Sequence, residues 1–421
     1  MHIKSIRLEQ FRNYEDQFLN VQPGINVLYG NNAQGKTNIL EAIYLCACAR
    51  SHRTSKDTDM IRHNAGQYQV TIDYENDNGS SDTLSILYLD SVSGSTQKSG
   101  PARHIFHNGL KVDRISDLMG LFHAVIFAPE DLLLVKEGPS TRRRFIDLMI
   151  SQLRPSYFKD LQLYSRLLGQ RNRLLKEIRL RDPNLAEDHP LMMQLDVWTQ
   201  TLSETAARII RQRLIFISRI ETRAAEALDQ ISSGKEKLNV RYKTFASISS
   251  DYSVDDIIEL LYKKHKSIVY EDINRGSTSY GPHRDDMELC LNNEQLKPYA
   301  SQGQQRSVVL SLKMSELAII KEEINEYPVL LLDDVMSELD EKRRGCLLAG
   351  IHQAQVFVTC TEAGHVVQEM EQACRYEGQK DKSEIAETVS FADNITTETD
   401  KKFLKQYSFY HVEAGAVERE S

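Results

Sequence analysis

"INVLYGNNAQGKTNILEAIY", residues 25–44, sets a short apolar run, a loop and a second apolar run end to end. Residues 25–29 read as a buried strand, and the run from Lys36 onward has the spacing of a buried helix. Between them stands Gly30-x-x-x-x-Gly35-Lys36-Thr37, the Walker A spacing in the strand-to-helix context that this motif requires. Gly30 and Gly35 let the backbone turn and come close to phosphate oxygens. Successive N–H groups and the helix N-terminus supply the positive field. Asn31, Asn32 and Gln34 can stand where glycines often do, because only the turn positions need unusual dihedrals. Gly30, Asn31, Asn32, Ala33, Gln34, Gly35, Lys36, Thr37 and Asn38 are therefore the candidate cradle for ATP. Lys36 neutralises charge on the β- and γ-phosphates, and the Thr37 hydroxyl ligates Mg2+.

A phosphate cradle of this type needs a metal-holding acid at the end of a buried strand. "YPVLLLDDVMSELD" (327–340) supplies one, with an all-apolar run followed by Asp333 and Asp334. Acids also mark the exit of ordinary strands, but two in succession fit a division of labour. Asp333 holds the metal through water and Asp334 polarises the attacking water, so Asp334 and Lys36 are the expected catalytic residues. The second position is often Glu, and the shorter Asp predicts slower hydrolysis.

The 421 residues suit two or three domains, and an apolar fraction of 41% with 27% charged residues is that of a globular protein. No window approaches the run of about 18 uncharged apolar residues of a membrane helix. The N-terminus has no apolar signal core, so a cytoplasmic location is expected. The six cysteines are scattered without zinc spacing and read as reduced thiols. A net charge of -8 argues against a protein that coats nucleic acid non-specifically, yet permits a basic face.

Strand-like segments fill the first ~135 residues and return at "MELCLNN", "YPVLLLDD" and "AQVFVTC". From Pro139 to about Lys264 the chain is amphipathic, charged and poor in glycine. The predicted fold is α/β: a P-loop sheet lobe built from both chain ends, 1–138 and 285–421, with a helical lobe, 139–284, inserted between them. Residues 371–400, with eight acids against three bases, read as a polar insertion, and "FYHVEAGAVE" as an edge strand that docks back.

Upstream of the acidic strand, "SQGQQRSVVLSLKMSELAII" (301–320) puts Ser301, Gly303 and Gln304 at the start of a helix. A small hydroxyl, a glycine and amides at a helix N-terminus suit an anion, although an ordinary capped amphipathic helix has the same look. Its place before the Walker B strand resembles the signature motif of ATP-binding-cassette ATPases, and "SELD" (337–340) resembles their D-loop. That resemblance implies an ABC-ATPase head and an ATP-closed homodimer, with Ser301 and Gly303 acting in trans, Gln304 a nucleotide-site residue beside them, and Asp340 at the same interface. Two positions depart from the superfamily. Pro129, Glu130 and Asp131 stand where a Q-loop glutamine is usual, and Thr359, Thr361 and the more distant His365 replace the switch histidine.

The stretches "GNNAQGKTNILEAIY", "FAPEDLLLVKEGPSTRRRFID", "YGPHRDDMEL", "SQGQQR" and "LLLDDVMSELD" occur in the order found in the RecF family of bacterial recombination mediators, which the chain resembles over nearly its whole length. Glu137, where that family has glycine, is a local departure. The resemblance implies ATP-dependent dimerisation on gapped or single-strand-to-duplex DNA and cooperation with RecO and RecR in loading RecA. It also implies a role in replication-fork recovery and the SOS response, with slow DNA-stimulated hydrolysis as a release timer. A cassette subunit of a membrane transporter is the alternative from another class, and a GTP switch lacks its Asn-Lys-x-Asp motif.

Residues 141–182 hold eleven Lys/Arg and four Asp/Glu, an excess of seven positive charges in an acidic chain. Arg142, Arg143, Arg144, Arg171 and Arg173 are the candidate DNA contacts. A solvated helix face is the bland alternative, and the lack of an aromatic ladder favours backbone phosphates over stacked bases. Arg53 is divided between phosphate contact and pairing with acids. The "GPHRDD" cluster (281–286) reads as self-satisfied, and His283 is not expected to be a catalytic base.

Overall fold

A computed structural model describes residues 1–90, 102–249, 251–351, 353–362 and 407–420. The expected 371–400 insertion and His365 lie outside these residues.

The chain begins with a hairpin, β1 (His2–Phe11) and β2 (Tyr14–Asn20), followed by β3 (Ile25–Tyr29) and α1 (Lys36–Cys48). A meander follows, of β4 (Gln67–Glu75), β5 (Ser81–Leu89), β6 (Ala102–His107) and β7 (Leu110–Val112), and then β8 (Ala124–Phe127). Short α2 (Leu133–Lys136) leads into α3 (Pro139–Leu153), α4 (Pro155–Arg181) and α5 (Pro190–Ser232). Each of the three long helices starts on proline, whose missing N–H costs nothing in the first turn. Next come β9 (Leu238–Lys243), α6 (Val254–Ser267), α7 (Val269–Arg275), β10 (Asp286–Leu291), β11 (Glu294–Gln295) and α8 (Leu296–Tyr299). The chain continues with α9 (Gln302–Ile324), β12 (Val329–Asp333), α10 (Val335–Glu338), α11 (Glu341–Ile351) and β13 (Val356–Cys360), and the described residues close with β14 (Tyr407–Glu413) and β15 (Ala416–Arg419).

The strands form two sheets of six and one of three. The nucleotide-bearing sheet has the order β15-β14-β3-β13-β12-β8, parallel throughout except for β15. β8, β12 and β13 are buried at every position, as strands covered on both faces must be. Alternate residues of β12 serve two cores: Leu330 and Leu332 pack with the helices α3, α5 and α9, whereas Val329 and Leu331 pack with α1. On that α1 side lies the second sheet, antiparallel, in the order β2-β1-β4-β5-β6-β7. The N-terminal strands other than β3 and β8 thus make a sheet of their own rather than joining one common sheet.

Two further expectations are corrected. β10 pairs with β9 of the helical segment, not with the nucleotide sheet, so that segment keeps a three-stranded sheet β11-β10-β9 and extends past residue 285. The C-terminal segment does not form an edge strand alone. Its first strand, β14, is inserted beside β3, and only β15 lies at the edge. Among the described residues no helix is long and apolar enough to cross a membrane.

Candidate functional site

Parallel strands bring their C-terminal ends to one rim, and ligands of such sheets bind there. Here the rim holds the loop after β3, the acids at the end of β12 and Thr359 of β13, which lies between those two strands. Gly30 has φ 142° and Gly35 φ 118°, both closed to ordinary side chains. A Cβ on Gly30 would fall 2.3 Å from the Val412 carbonyl oxygen of β14, and one on Gly35 would fall 2.6 Å from Asn13 Nδ2. Gly30 is therefore fixed by close approach of backbone from the far end of the chain, and Gly35 by the side chains of Asn13 and Tyr14. Gly30→Ala is expected to cost about 1–3 kcal/mol in backbone strain. It should lower ATP affinity and the melting temperature together, which titration and calorimetry on one preparation would check.

Asn31, Asn32 and Ala33 are exposed at the loop tip, and Gln34 accepts a hydrogen bond from the Ala414 N–H at 2.7 Å. Lys36 is buried, and its Nζ donates to the carbonyls of Gly30 (2.5 Å) and Asn31 (2.8 Å). Burial lowers its pKa, a penalty that phosphate charge beside it would offset. Thr37 Oγ1 donates to Asp333 Oδ1 at 2.8 Å, and Thr359 Oγ1 donates to the same oxygen at 2.8 Å. Burial holds Asp333 above the ordinary carboxylate range, opposed by those two hydroxyls, and Glu130 adds repulsion. A hydroxyl and a carboxylate in contact at the mouth of a glycine cradle are oxygen donors of the kind that a hard divalent cation takes. Among the described residues no cluster of three His, Cys, Asp or Glu could hold a metal by itself.

Asp334 is exposed with φ 53°, and its N–H donates to Thr359 Oγ1 at 2.9 Å. Thr359 thus ties both acids into one geometry. The sequence offered it only as a neighbour of a missing histidine; its place is set by the register that pairs it with Asp333. Glu130, exposed where a Q-loop glutamine was sought, bears on Asp333. Asp131 turns inward instead, accepting the Ala128 N–H at 2.9 Å, and burial raises its pKa to about 6.

The residues that resemble a signature motif open α9. Ser301 and Gln304 form a reciprocal capping box, the Gln304 N–H reaching Ser301 Oγ at 3.3 Å and the Ser301 N–H reaching Gln304 Oε1 at 2.9 Å. The Gly303 carbonyl accepts from Arg343 Nη2 at 3.0 Å, and Arg343 also donates to Ser307 and ion-pairs with Asp340. Arg343, not singled out in the sequence, joins the D-loop to the signature turn. Among the described residues no hydrogen bond joins this turn to the Walker A loop of the same chain.

The five candidate DNA arginines separate. Arg171 is fully buried, paired with Asp272 at 2.8 Å and bonded to Thr199 and Thr278, so it cannot be a DNA contact in this fold. Arg142 makes a two-pronged pair with Asp286, both bonds 2.8 Å, and caps the Leu134 and Glu137 carbonyls. Its guanidinium is thereby committed to structure, and a DNA-binding loss on removing it would not report phosphate contact. Arg143 and Arg144 are half-buried and donate to the carbonyls of Asp285 and Ser51, and Arg173 is exposed. In "GPHRDD", Asp285 accepts from the Tyr242 hydroxyl, and His283 bonds Tyr164 and the Thr278 carbonyl with its pKa lowered by burial to about 4. The cluster is thus satisfied from outside rather than by itself, with Arg142 on Asp286 and Arg143 on the Asp285 carbonyl. Arg53 reaches Asn38 Oδ1 at 3.0 Å, and Asn38 in turn donates to Asn13.

The RecF/RecN/SMC N terminal domain family matches residues 2–384. The chain is 42% identical over 362 residues to the DNA replication and repair protein RecF of Acetivibrio thermocellus, covering 86% of this chain and 94% of that one. It is 39% identical over 379 residues to RecF of Halalkalibacterium halodurans, covering 90% and 97%. Among solved structures, the recombination mediator protein RecF with ATP superposes with a TM-score of 0.81 at 31% identity, covering all of this chain and 98% of that one. A Pyrococcus furiosus Smc head domain shares the fold at a TM-score of 0.50 and 14% identity. With its Walker A loop, paired acids and capped signature helix in this arrangement, the chain belongs to the RecF family of ABC-type ATPases.

Proposed function

We propose that the protein is an ATP-dependent DNA-binding protein of recombinational repair and replication-fork recovery, acting in the bacterial cytoplasm. In this reading it closes into a homodimer on gapped DNA when ATP and Mg2+ are bound. The observation that carries the reading is the meeting of Thr37, Asp333 and Thr359 at 2.8 Å, beside Lys36 at the start of α1, while among the described residues no hydrogen bond joins the Ser301–Gln304 cap to that loop. One chain offers a phosphate-and-metal half and, separately, an exposed anion-binding turn. A second copy would complete each pocket.

Lys36, the loop N–H groups and the start of α1 would bind and orient the phosphates, and Thr37 and Asp333 would hold Mg2+, which supplies charge neutralisation on them. Asp334 would orient water and take its proton. Slow, DNA-stimulated hydrolysis then sets how long the dimer stays closed. RecF of known structure is a mediator in the RecFOR pathway, which supports RecO and RecR as partners, with RecA loading as the outcome. For DNA contact, exposed Arg173 and half-buried Arg143 and Arg144 remain as candidates.

The transporter reading loses support because full-length relatives carry a DNA repair name. Sedimentation of the intact protein with gapped DNA, with and without ATP, tests the composite site against Ser301→Arg. Loss of the cap costs only about 1 kcal/mol, so the variant should stay folded. It is expected to bind ATP and fail to assemble; unchanged assembly would remove Ser301 from the interface.

A further inference from the structure

α1 ends at Ala49, whose φ of 50° turns the chain out of the helix. Two guanidinium groups from distant elements converge on the turn that follows. Arg103 of β6 donates to the Ala49 carbonyl, and Arg144 of α3 donates to the Ser51 carbonyl at 2.9 Å. Arg50 sits between these anchor points, exposed, with no ion-pair partner among the described residues. Asp57 pairs with Arg103, and Arg103 Nε is buried without an acceptor. The turn itself is rigid: the Ser51 hydroxyl donates to buried Glu41 and accepts the N–H groups of Arg53 (3.0 Å) and Thr54 (3.1 Å).

Cations at the C-terminal end of a helix are favourable, which accounts for Arg103 on the Ala49 carbonyl, while Arg144 holds the Ser51 carbonyl of the turn beyond it. It does not account for Arg50, which lies between the two carbonyls that they hold. Partial desolvation, then Arg144 and Arg103, lower the pKa of its guanidinium. Gathered like charges on a preorganised turn are relieved by an anion, and planar guanidinium forks match phosphate oxygens. Phosphates of bound ATP are not that anion. They lie at the opposite end of a 13-residue helix, about 20 Å away at the helical rise.

We propose that Arg50, presented by the turn that Arg103 and Arg144 hold in place, contacts a backbone phosphate of duplex DNA. The proposal rests on the DNA-binding function above and places contact on the sheet lobe, where the basic run 141–182 alone would put it on the helices. The test is equilibrium binding of the full-length protein to gapped duplex in saturating ATP over a salt series, comparing wild type with Arg50→Ala and Arg50→Glu. Arg50→Ala is expected to reduce the slope of log affinity against log salt by about 0.9, for one lost phosphate contact. Arg50→Glu should bind more weakly still, on every sequence alike, with ATP affinity and melting temperature held. Unchanged affinity and slope in both variants, with the wild type binding DNA, would overturn this site and leave the proposed function standing. A wild type that binds no gapped duplex under ATP would overturn both.

Discussion

Asp334→Asn is expected to lower ATP hydrolysis about 10²- to 10⁴-fold, the usual contribution of a general base, while ATP binding is retained. The substitution preserves shape and removes only the ability to take a proton. Asp334 has φ 53°, a left-handed conformation that Asn adopts as readily as Asp, so the backbone should not move. Its N–H bond to Thr359 and the Ser337 hydroxyl bond to its carbonyl, each 2.9 Å, need no carboxylate. Single-turnover hydrolysis on gapped DNA measures the loss. Sedimentation of the same samples should show the ATP-bound assembly persisting, because its release step is blocked. Full-rate hydrolysis in the variant would transfer the role to another group, and Glu130, which bears on Asp333, is the next to substitute.

Arg171→Ala is expected to destabilise the helical segment by about 3–5 kcal/mol, since it strands a buried carboxylate. Arg171 and Asp272 are both 0% exposed. The guanidinium also donates to Thr199 Oγ1 at 3.0 Å and Thr278 Oγ1 at 2.7 Å, joining α4, α5 and the turn after α7. Asp272 further accepts the Ser279 N–H at 3.0 Å, so its loss of a partner propagates into that turn. Calorimetry should show a melting temperature roughly ten degrees lower for a segment of this size. Arg173→Ala, two residues away and exposed, should leave it unchanged. Equal melting temperatures for wild type and Arg171→Ala would mean the buried pair contributes nothing.

The different fates of Arg171 and Arg173 show where a charge count fails. Summed charge says that a segment is basic, but not which guanidiniums face water. A finer signal was present: Arg171 shares the helical stripe of Leu167, Leu174, Leu175 and Ile178, all buried, whereas Arg173 falls on the opposite side. Arg142 gives no such hint. Its partner Asp286 lies 144 residues onward, and only the packing of α3 against β10 brings the two together.

The Walker A loop and the paired acids were legible from the chain alone, because each depends on dihedral needs and burial within a few consecutive residues. A glycine at φ 142° and a run of apolar residues ending in acids carry their meaning locally. The family followed from the order of such stretches. Contacts between distant segments decided the rest: Val412 closing on Gly30, Thr359 joining Asp333 to Asp334, Arg343 tying the D-loop to the signature turn, and three arginines meeting around residue 50. Strand order and register determine such meetings, and these are set by burial summed over the whole core, which no short stretch encodes.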